Sequence, residues 1–338
     1  MTTVLCTLYN SLYLDKGLVL YDSLCECAKD FKLYVLCMDD KCYEVLTDLK
    51  QEHHIPVRLS DFEEGDDELL AAKANRTKGE YCWTCTSSFI RYILKHYKED
   101  ICTYIDADMF FYSDPQVLIE EMMNKGCSAM VVPHRFPEGK EYLVSKVGHY
   151  CVEFNTFVNN KKGVEVLEYW RSRCLESVAR LGDGVHWGDQ KYLDELVVKF
   201  DCVHVCENKG AGVAPWNLTV YKSSNEANQL LFIPKYVVVD LVFFHYQGIA
   251  YVTRKLVSTG ILLRVPIDKR CLESLYIPYL RRIDIWKNEL SSKYGYFEMI
   301  QGHPSERQRH FKIKNTVVGH FIWFLYNKLF GITHLVAF

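Results

Sequence analysis

Short apolar runs alternate with longer amphipathic stretches along the first 60 residues of this chain. The runs at 2–8, 31–38 and 55–59 predict strands, and the stretches at 14–28 and 41–51 repeat their apolar positions at a helical spacing. Strands and helices that alternate at these lengths are typical of a parallel sheet covered by helices. The predicted fold class is therefore α/β, with a mostly parallel central sheet flanked by helices.

The same alternation continues through the next part of the chain, with polar interruptions at 62–76, which is acidic, and at 133–148. Strands are predicted at 103–105, 127–132, 151–158, 200–206, 230–234 and 237–244, and helices at 87–97, 116–124, 163–177 and 192–197. In parallel sheets of this kind ligands bind at the carboxyl ends of the strands. Polar residues that follow strands are therefore the first candidates for a functional site.

Two carboxylates, Asp106 and Asp108, directly follow the predicted strand that ends at Ile105. That strand consists of β-branched and aromatic residues and is expected to be buried, where an acid that is not neutralised is costly. Carboxylate oxygens, with places left for phosphate oxygens, suit Mg²⁺ or Mn²⁺ bound together with a nucleoside diphosphate. The structural alternative is that Asp106 ends the strand and Asp108 caps a turn.

Two further pairs of polar residues are placed side by side by the predicted elements. Glu153 and Asn155 alternate onto one face of their strand, which either lines a pocket or is half exposed. Asp189 and Gln190 stand near the start of the next helix, where Asp189 is a candidate site residue or only a helix cap.

Other residues gain interest beside a metal site. His245 ends an all-apolar strand, where a histidine is usually half-buried and satisfied, but next to two carboxylates it becomes a candidate ligand. A loop places Trp216 and Asn217 together. Arg91, on the helix that leads into Asp106, is by itself an exposed helix arginine.

The composition limits the class of protein. With 338 residues, 49% of them hydrophobic, the chain can bury the core of one large domain or two modest ones. A net charge of -3 gives no global reason to expect a nucleic-acid partner. The 14 cysteines are scattered and are interpreted as reduced, and the close pairs Cys82 to Cys85 and Cys25 to Cys27 lack the histidines of a zinc site. Without a secretion signal before the first strand, a cytoplasmic location is expected.

The opening βα loop lacks the G-x-G-x-x-G pattern of dinucleotide-binding proteins, which argues against an oxidoreductase. Instead, a series of short motifs follows one order along residues 1–250. They are Tyr9 with Asn10, Arg91, Asp106 with Asp108, Phe154 with Asn155, Asp189 with Gln190, and His245 with Gly248. In this order they resemble the GT-A fold nucleotide-sugar glycosyltransferases, most closely glycosyltransferase family 8 and related bacterial surface-polysaccharide transferases.

The resemblance implies a GT-A catalytic domain over residues 1–255 that moves a sugar from a nucleoside-diphosphate sugar, foremost a UDP-sugar, with retention of configuration. It implies as acceptor a glycan or lipid-linked glycan of bacterial surface-polysaccharide assembly. The implied ligands of Mn²⁺ or Mg²⁺ are Asp106, Asp108 and His245. The implied donor-binding residues are Thr7, Tyr9, Asn10, Arg91, Asp106, Ala107, Asp108 and Gly248. The implied catalytic residues are Asp189, Gln190 and Asn155, and those on the acceptor side are Trp216, Asn217 and Glu153.

The chain departs from the family pattern at two positions. The family lysine three residues after the glycine of His-x-x-Gly is replaced by Tyr251, so the cation for the diphosphate comes from Arg254 or Lys255, or is missing. Lys191 stands where family members often carry a second acid. The identity of the donor and the stereochemical outcome are therefore left open by the sequence.

Two stereochemical routes and two other classes of protein stay in consideration. Retention needs no strong base, whereas inversion requires a carboxylate, Asp189 or Glu153, to act as one. A sugar nucleotidyltransferase shares this type of sheet but needs a glycine-rich, basic opening loop, which residues 7–10 do not form. A non-catalytic GT-A-like binding module is favoured only by the missing lysine.

Residues 256–338 are predicted to form a helical extension. The part from 264 to 314 is rich in basic residues, and 311–338 is largely apolar but interrupted by polar residues. We predict a helix that lies on the inner leaflet, held by its aromatic residues and the preceding basic ones, so that the protein is peripheral on the cytoplasmic membrane face. This position suits a lipid-linked acceptor. The alternative is an ordinary C-terminal helix docked on the core.

Overall fold

The computed structural model describes residues 2–181, 185–253, 255–262, 266–295 and 333–338. Its strands are β1 (Thr3–Tyr9), β2 (Phe31–Cys37), β3 (His54–Arg58), β4 (Ile101–Ile105), β5 (Met109–Phe111), β6 (Ala129–Pro133), β7 (Tyr150–Val158), β8 (Val203–Val205), β9 (Tyr221–Ser223), β10 (Gln229–Phe232), β11 (Val237–Asp240), β12 (Phe243–His245), β13 (Ala250–Thr253), β14 (Leu256–Leu262) and β15 (Thr333–Ala337). Its α-helices are α1 (Leu14–Cys27), α2 (Asp40–Leu49), α3 (Leu59–Glu63), α4 (Asp67–Lys73), α5 (Lys78–His96), α6 (Gln116–Asn124), α7 (Tyr142–Val147), α8 (Lys161–Glu176), α9 (Leu193–Lys199) and α10 (Lys269–Tyr294). Single turns of 3₁₀ helix lie at Ser11–Tyr13, Leu218–Val220 and Ile233–Lys235.

A seven-stranded sheet in the order β3-β2-β1-β4-β7-β6-β8 forms the centre of the fold. β1 pairs in parallel with β2 and β4, β2 pairs in parallel with β3, and β6 pairs in parallel with β8. β7 runs antiparallel to both of its neighbours, β4 and β6. The predicted α/β class, a mostly parallel central sheet flanked by helices, is therefore confirmed.

Alternate side chains of β1 enter two different cores, which is why this strand is apolar along its length. Leu5 belongs to the core cluster that includes Leu18 of α1. Val4 and Cys6 belong to a second cluster that includes Phe89 of α5. A parallel strand covered by helices on both faces has no polar face to show. The continuous apolar run seen in the sequence is the direct result.

Two stretches that the sequence pattern predicts to be loops contain helices. The segment 62–76 holds α4 and the end of α3, and the segment 133–148 holds α7. In addition, α5 begins at Lys78, well before the predicted position 87. Its start is fixed by a capping box, in which the Thr77 hydroxyl accepts the Glu80 N–H and the Glu80 carboxylate accepts the Thr77 N–H at 2.8 Å. Hydrophobic spacing alone does not reveal a helix start that polar caps define.

Beside the central sheet, the described residues form three short antiparallel sheets. β5 pairs with β12, with His245 opposite Met109. β9, β10 and β11 form one three-stranded sheet, and β13, β14 and β15 form another. The pairing of β5 with β12 brings His245 back to the turn that follows β4.

The predicted C-terminal extension is described in part. α10 packs along α1, and β15 pairs with β14, with Val336 opposite Val257. The segment 296–332, which holds most of the predicted helix 311–338, lies outside the described residues, as does Arg254. The last residues of that predicted helix form β15 instead. Among the described helices, none is both long and apolar enough to cross a bilayer. The domain division and the membrane association stay predictions.

Candidate active site

A cleft of about 700 Å³ opens at the carboxyl ends of β1 and β4. The two strands are parallel neighbours, so their ends meet at one edge of the sheet. Tyr9 ends β1 and is followed by Asn10, and both line the cleft. Asp106 and Asp108, in the turn after β4, line it as well. The cleft thus lies where ligands bind in sheets of this type.

Backbone hydrogen bonds hold the turn of the two acids from two directions. The Asp106 N–H donates to the Glu153 carbonyl at 3.3 Å, and the Asp108 carbonyl accepts the Tyr246 N–H at 2.8 Å. The Tyr104 hydroxyl donates to Oδ1 of Asp106 at 3.2 Å. Because β4 is buried at every position, the chain emerges from the core directly at these acids.

His245 reaches the two acids because β12 pairs with β5, directly after the turn. Its Nε2 lies 3.1 Å from Oδ1 of Asp108 and 3.6 Å from Oδ2 of Asp106. One ligand atom from each of the three side chains lies within 4.8 Å of the other two. Carboxylate oxygens with one imidazole fit Mg²⁺ or Mn²⁺. We refer to Asp106, Asp108 and His245 as the metal cluster.

Glu153, predicted on the acceptor side, lies behind the imidazole of His245 and does not line the cleft. Its side chain is 0% exposed, and its Oε2 lies 2.7 Å from Nδ1 of His245. Its Oε1 has no hydrogen-bond partner within the described part of the chain. The reason for the placement is the pairing of β7 with β4, in which Phe154 stands opposite Ile105 and Glu153 comes level with Asp106.

The acids and the imidazole of the metal cluster shift one another's protonation. Burial raises the pKa of Asp106 to about 6, although the neighbouring His245 opposes this rise. Burial acts the same way on Asp108, but His245 and Lys16 outweigh it and lower the pKa of Asp108. Burial by itself disfavours a charged His245, but Asp108 and Glu153 raise the pKa of His245 well above its ordinary value. The acids therefore favour the protonated imidazole, and a cation would compete with that proton for Nε2.

The three predicted catalytic residues have different surroundings. Asp189 lines the cleft although only 5% of it is exposed, and burial raises the pKa of Asp189 to about 7. Gln190 lines the cleft and donates through Nε2 to the Val147 carbonyl at 2.8 Å. Asn155 is fully buried and donates to the Val152 carbonyl at 2.7 Å. The structure thus brings Asp189 and Gln190 to the cleft and keeps Asn155 behind its wall.

The predicted donor-binding residues divide in the same way. Tyr9, Asn10, Ala107 and Gly248 line the cleft. Gly248 has a φ of +83°, a backbone conformation that favours glycine, which explains the glycine of the His-x-x-Gly motif. Thr7 is fully buried inside β1 and does not line the cleft.

Arg91, predicted to contact the donor, is not brought to the cleft. Its Nε donates to Oε1 of Glu168 at 2.5 Å, and its guanidinium lies 3.8 Å from Asp66. The physical reason is the orientation of α5, which turns this position toward the neighbouring α8 that carries Glu168. Sequence order placed Arg91 before the metal strand but could not show which face of the helix it occupies.

Only one of the two predicted residues of the 210–217 loop lines the cleft. The ring of Trp216 meets the imidazole of His245 edge on, with 5.4 Å between the ring centres. The amide of Asn217 donates to the carbonyls of Gly212 at 2.7 Å and His134 at 2.8 Å. Asn217 therefore fixes the shape of the loop, and Trp216 is the residue that the loop presents.

A stack of Trp83, Arg180 and Trp187 forms another part of the cleft wall, and the sequence analysis missed it. The guanidinium of Arg180 lies 4.1 Å from the ring centre of Trp83 and 5.0 Å from that of Trp187, a cation–π arrangement. The available signal was a tryptophan inside the Cys-x-x-Cys, which was considered only as a metal motif, and another two residues before Asp189.

The described residues also bear on the missing family lysine. Lys255 pairs with Asp284 at 2.7 Å. The charge of Lys16 acts on Asp108, and its ammonium lies 3.8 Å from the ring centre of Tyr13, which lines the cleft. Lys16 is therefore a described cation whose charge reaches the metal cluster, and Arg180 is a cation of the cleft wall.

Comparison with known proteins identifies relatives and the fold. No protein-family model matches the chain. The uncharacterised protein YfnD of Bacillus subtilis (strain 168) is 31% identical over 294 residues, which cover 86% of this chain and 92% of YfnD. The uncharacterised protein YfnF of the same organism is 30% identical over 255 residues, which cover 73% of this chain and 82% of YfnF.

A crystal structure of the galactosyltransferase LgtC in complex with donor and acceptor sugar analogs matches with a TM-score of 0.50. The match has 11% identity and covers 91% of this chain and 99% of the LgtC chain. At this identity the likeness concerns the fold. The chain therefore has the GT-A fold that its motifs resemble.

Proposed function

This chain belongs to the family of the uncharacterised Bacillus subtilis proteins YfnD and YfnF. From the geometry of its site we propose that it is a metal-dependent glycosyltransferase. It transfers a sugar from a nucleoside-diphosphate sugar to a glycan acceptor. The observation that carries the proposal is the metal cluster, in which two acids and a histidine from distant parts of the chain converge in one cleft.

The proposal extends to finer points that the order of the motifs supports. These are a family 8 type of enzyme, a UDP-sugar as donor, retention of configuration, and a lipid-linked glycan of bacterial surface-polysaccharide assembly as acceptor. The predicted association of the C-terminal segment with the cytoplasmic membrane face belongs to the same set.

The residues of the metal cluster would hold Mn²⁺ or Mg²⁺, which when bound stabilises the charge that develops on the departing diphosphate. The donor set supports this role because carboxylate oxygens are hard ligands and Nε2 of His245 already faces both of them. Nδ1 of the same ring faces Glu153, so the two nitrogens have separate tasks.

Donor recognition falls to residues at the end of β1 and the start of α1. Tyr9 and Asn10 contact the base or the ribose in this proposal, since both line the cleft beside the metal cluster. Lys16 supplies positive charge near the diphosphate, in the role that the family lysine would have. Trp216 offers a flat apolar surface to the sugars on the other side of His245.

Asp189 is the acid placed to deal with the acceptor. With retention, the departing phosphate oxygen accepts the proton of the acceptor hydroxyl, and Asp189 with Gln190 borders the transferred sugar. With inversion, a carboxylate in the cleft has to accept that proton. Of the two carboxylates considered for this task, Asp189 lines the cleft and Glu153 does not. A pKa near 7 places Asp189 in the range where a general base works best.

The test is the release of nucleoside diphosphate from a panel of nucleotide sugars, with and without Mn²⁺, by the wild type and by Asp108→Asn. This substitution keeps the size of the side chain and removes a ligand charge. We expect wild-type release that depends on Mn²⁺, and a fall in kcat/KM of about 100-fold or more in the variant. Asp201→Asn, at an exposed acid, is the matched control and should behave as the wild type.

Two results would reject parts of the proposal separately. If the wild type releases no nucleoside diphosphate from any donor with Mn²⁺, glycosyl transfer is rejected. If Asp108→Asn turns over as fast as the wild type, the assignment of the metal is rejected and the transfer reaction stands.

A further inference from the structure

The imidazole of His245 lies between carboxylates, with Glu153 at one ring nitrogen and the aspartates of the metal cluster at the other. Oε2 of Glu153 lies 2.7 Å from Nδ1, and Oδ1 of Asp108 lies 3.1 Å from Nε2. Glu153 is 0% exposed and His245 is 2% exposed, so water does not compete for the contact at Nδ1. The ring therefore has Glu153 at Nδ1 and the two aspartates at Nε2.

We infer that Glu153 is a positioning residue, which fixes the tautomer of His245 and strengthens it as a metal ligand. The inference rests on the proposed function. A neutral imidazole carries one N–H, and a carboxylate at hydrogen-bond distance from Nδ1 keeps that N–H on Nδ1. The lone pair of Nε2 is then aimed at Asp106 and Asp108, where the ion is expected. A carboxylate acceptor also makes the ring a stronger electron donor than a neutral acceptor does.

The charge of Glu153 changes what the site can hold. Asp106 and Asp108 balance a divalent cation, and Glu153 adds a third buried negative charge beside them. Its Oε1 has no hydrogen-bond partner within the described residues, so no hydrogen-bond donor stabilises the charge at that oxygen. A buried acid without a cation nearby is costly. Glu153 therefore favours the state in which a divalent ion occupies the cluster.

A direct ligand role for Glu153 is the competing interpretation. Cys151, Glu153 and His245 also have ligand atoms within 4.8 Å of one another. All three of these residues are buried, and Glu153 does not line the cleft. An ion on the Nδ1 side would therefore be separated from the donor by the imidazole itself. The backbone of Gly212 also closes this side, since a Cβ there would lie 3.3 Å from Oε1 of Glu153.

The experiment compares Mn²⁺ binding to the full-length protein and to Glu153→Gln by titration calorimetry, without any substrate. Glutamine keeps an oxygen that accepts the Nδ1 hydrogen and removes the charge. We expect Mn²⁺ affinity to fall by about 10- to 100-fold in Glu153→Gln. The matched control is Glu121→Gln, whose carboxylate faces Nε2 of His204 at 2.6 Å outside the cleft. The control should bind Mn²⁺ as the wild type does.

A second measurement works without a variant of Glu153. Proton–nitrogen NMR spectra of the Mg²⁺-loaded wild type, with the His245 signals assigned from their loss in His245→Gln, should show the ring hydrogen on Nδ1. A hydrogen on Nε2 would overturn the inference, and so would an unchanged Mn²⁺ affinity in Glu153→Gln. If the wild type binds neither ion, the metal assignment of the proposed function fails first and this inference fails with it.

Discussion

This protein contains two groups of charged side chains, and they differ in the partners that their acids meet. One is the metal cluster with Glu153 behind it. The other, which we refer to as the arginine cluster, lies between α4, α5 and α8. It consists of Asp66, Glu68, Arg91, Glu168 and Arg171.

In the arginine cluster every acid meets a guanidinium. The side chain of Arg171 is 5% exposed and donates to both oxygens of Asp66, at 2.7 and 2.9 Å, and to Glu68 at 2.8 Å. Arg91 donates to Glu168. Hydrogen bonds between two charged groups are among the strongest that side chains form. This cluster joins three helices and has no need of a further ion.

In the metal cluster, by contrast, no acid meets a guanidinium of the described residues. Asp106, Asp108 and Glu153 share the single imidazole of His245. Acids that lack enough partners reduce the stability of the empty protein and indicate where a cation binds. The comparison teaches that clustered charge alone does not mark a functional site, whereas acids that lie in a cleft without a guanidinium partner indicate one.

The largest loss of stability is expected from a substitution in the arginine cluster. Arg171→Met should lower the free energy of unfolding by about 3 kcal/mol, because Asp66, whose side chain is 17% exposed, loses its nearest guanidinium. Urea unfolding measures the change, and Mn²⁺ affinity should stay at the wild-type value. Lys162→Met is the matched control, since Lys162 lies 3.6 Å from Asp201 and both side chains are well exposed. An equally small change in both variants would contradict the contrast drawn between the two groups.

A gain in stability is expected when Asp189, an acid of the cleft with a raised pKa, is replaced. Its folded-state pKa of about 7 exceeds the ordinary value of 3.8, so the folded protein binds this proton more tightly than the unfolded chain. The stability that this proton provides is complete below pH 3.8 and is lost as the pH rises to about 7. Asp189→Asn should therefore match the wild type in acid and exceed it in base by at most about 4 kcal/mol. Unfolding in EDTA across this pH range checks the prediction, and a gain that does not depend on pH would refute the assigned cause.

The smallest effect is expected from Arg91, for which the family resemblance and the geometry predict different roles. Arg91→Gln should cost about 1 kcal/mol of stability or less, since its side chain is 29% exposed. Binding of nucleoside diphosphate with Mn²⁺ should stay at the wild-type affinity, because Arg91 lies outside the cleft. Lys16→Gln is the informative comparison and should weaken that binding by about 10-fold. A loss of affinity in Arg91→Gln instead would return Arg91 to the donor site.

Much of the central sheet could be predicted from the sequence, because a strand buried on both faces leaves an uninterrupted apolar run. Helix starts defined by polar caps, such as Thr77 before α5, leave no such run and were missed. In the site, the order of motifs predicted Asp106, Asp108 and His245, which the structure brings together. The positions of Arg91 and Glu153 depend on which neighbour packs against a helix or a strand. That information lies in the tertiary pairing of α5 with α8 and of β7 with β4, and spacing along the chain does not contain it.

The pairing of β15 with β14 ties Thr333–Ala337 to the fold, so the described chain on both sides of the segment 296–332 is packed, in α10 before it and in β15 after it. It also means that a protein shortened at 306 loses a paired strand together with the segment. A version in which a flexible glycine- and serine-rich linker replaces 296–332 removes the segment and keeps β15, and its binding to lipid vesicles can be compared with that of the full chain.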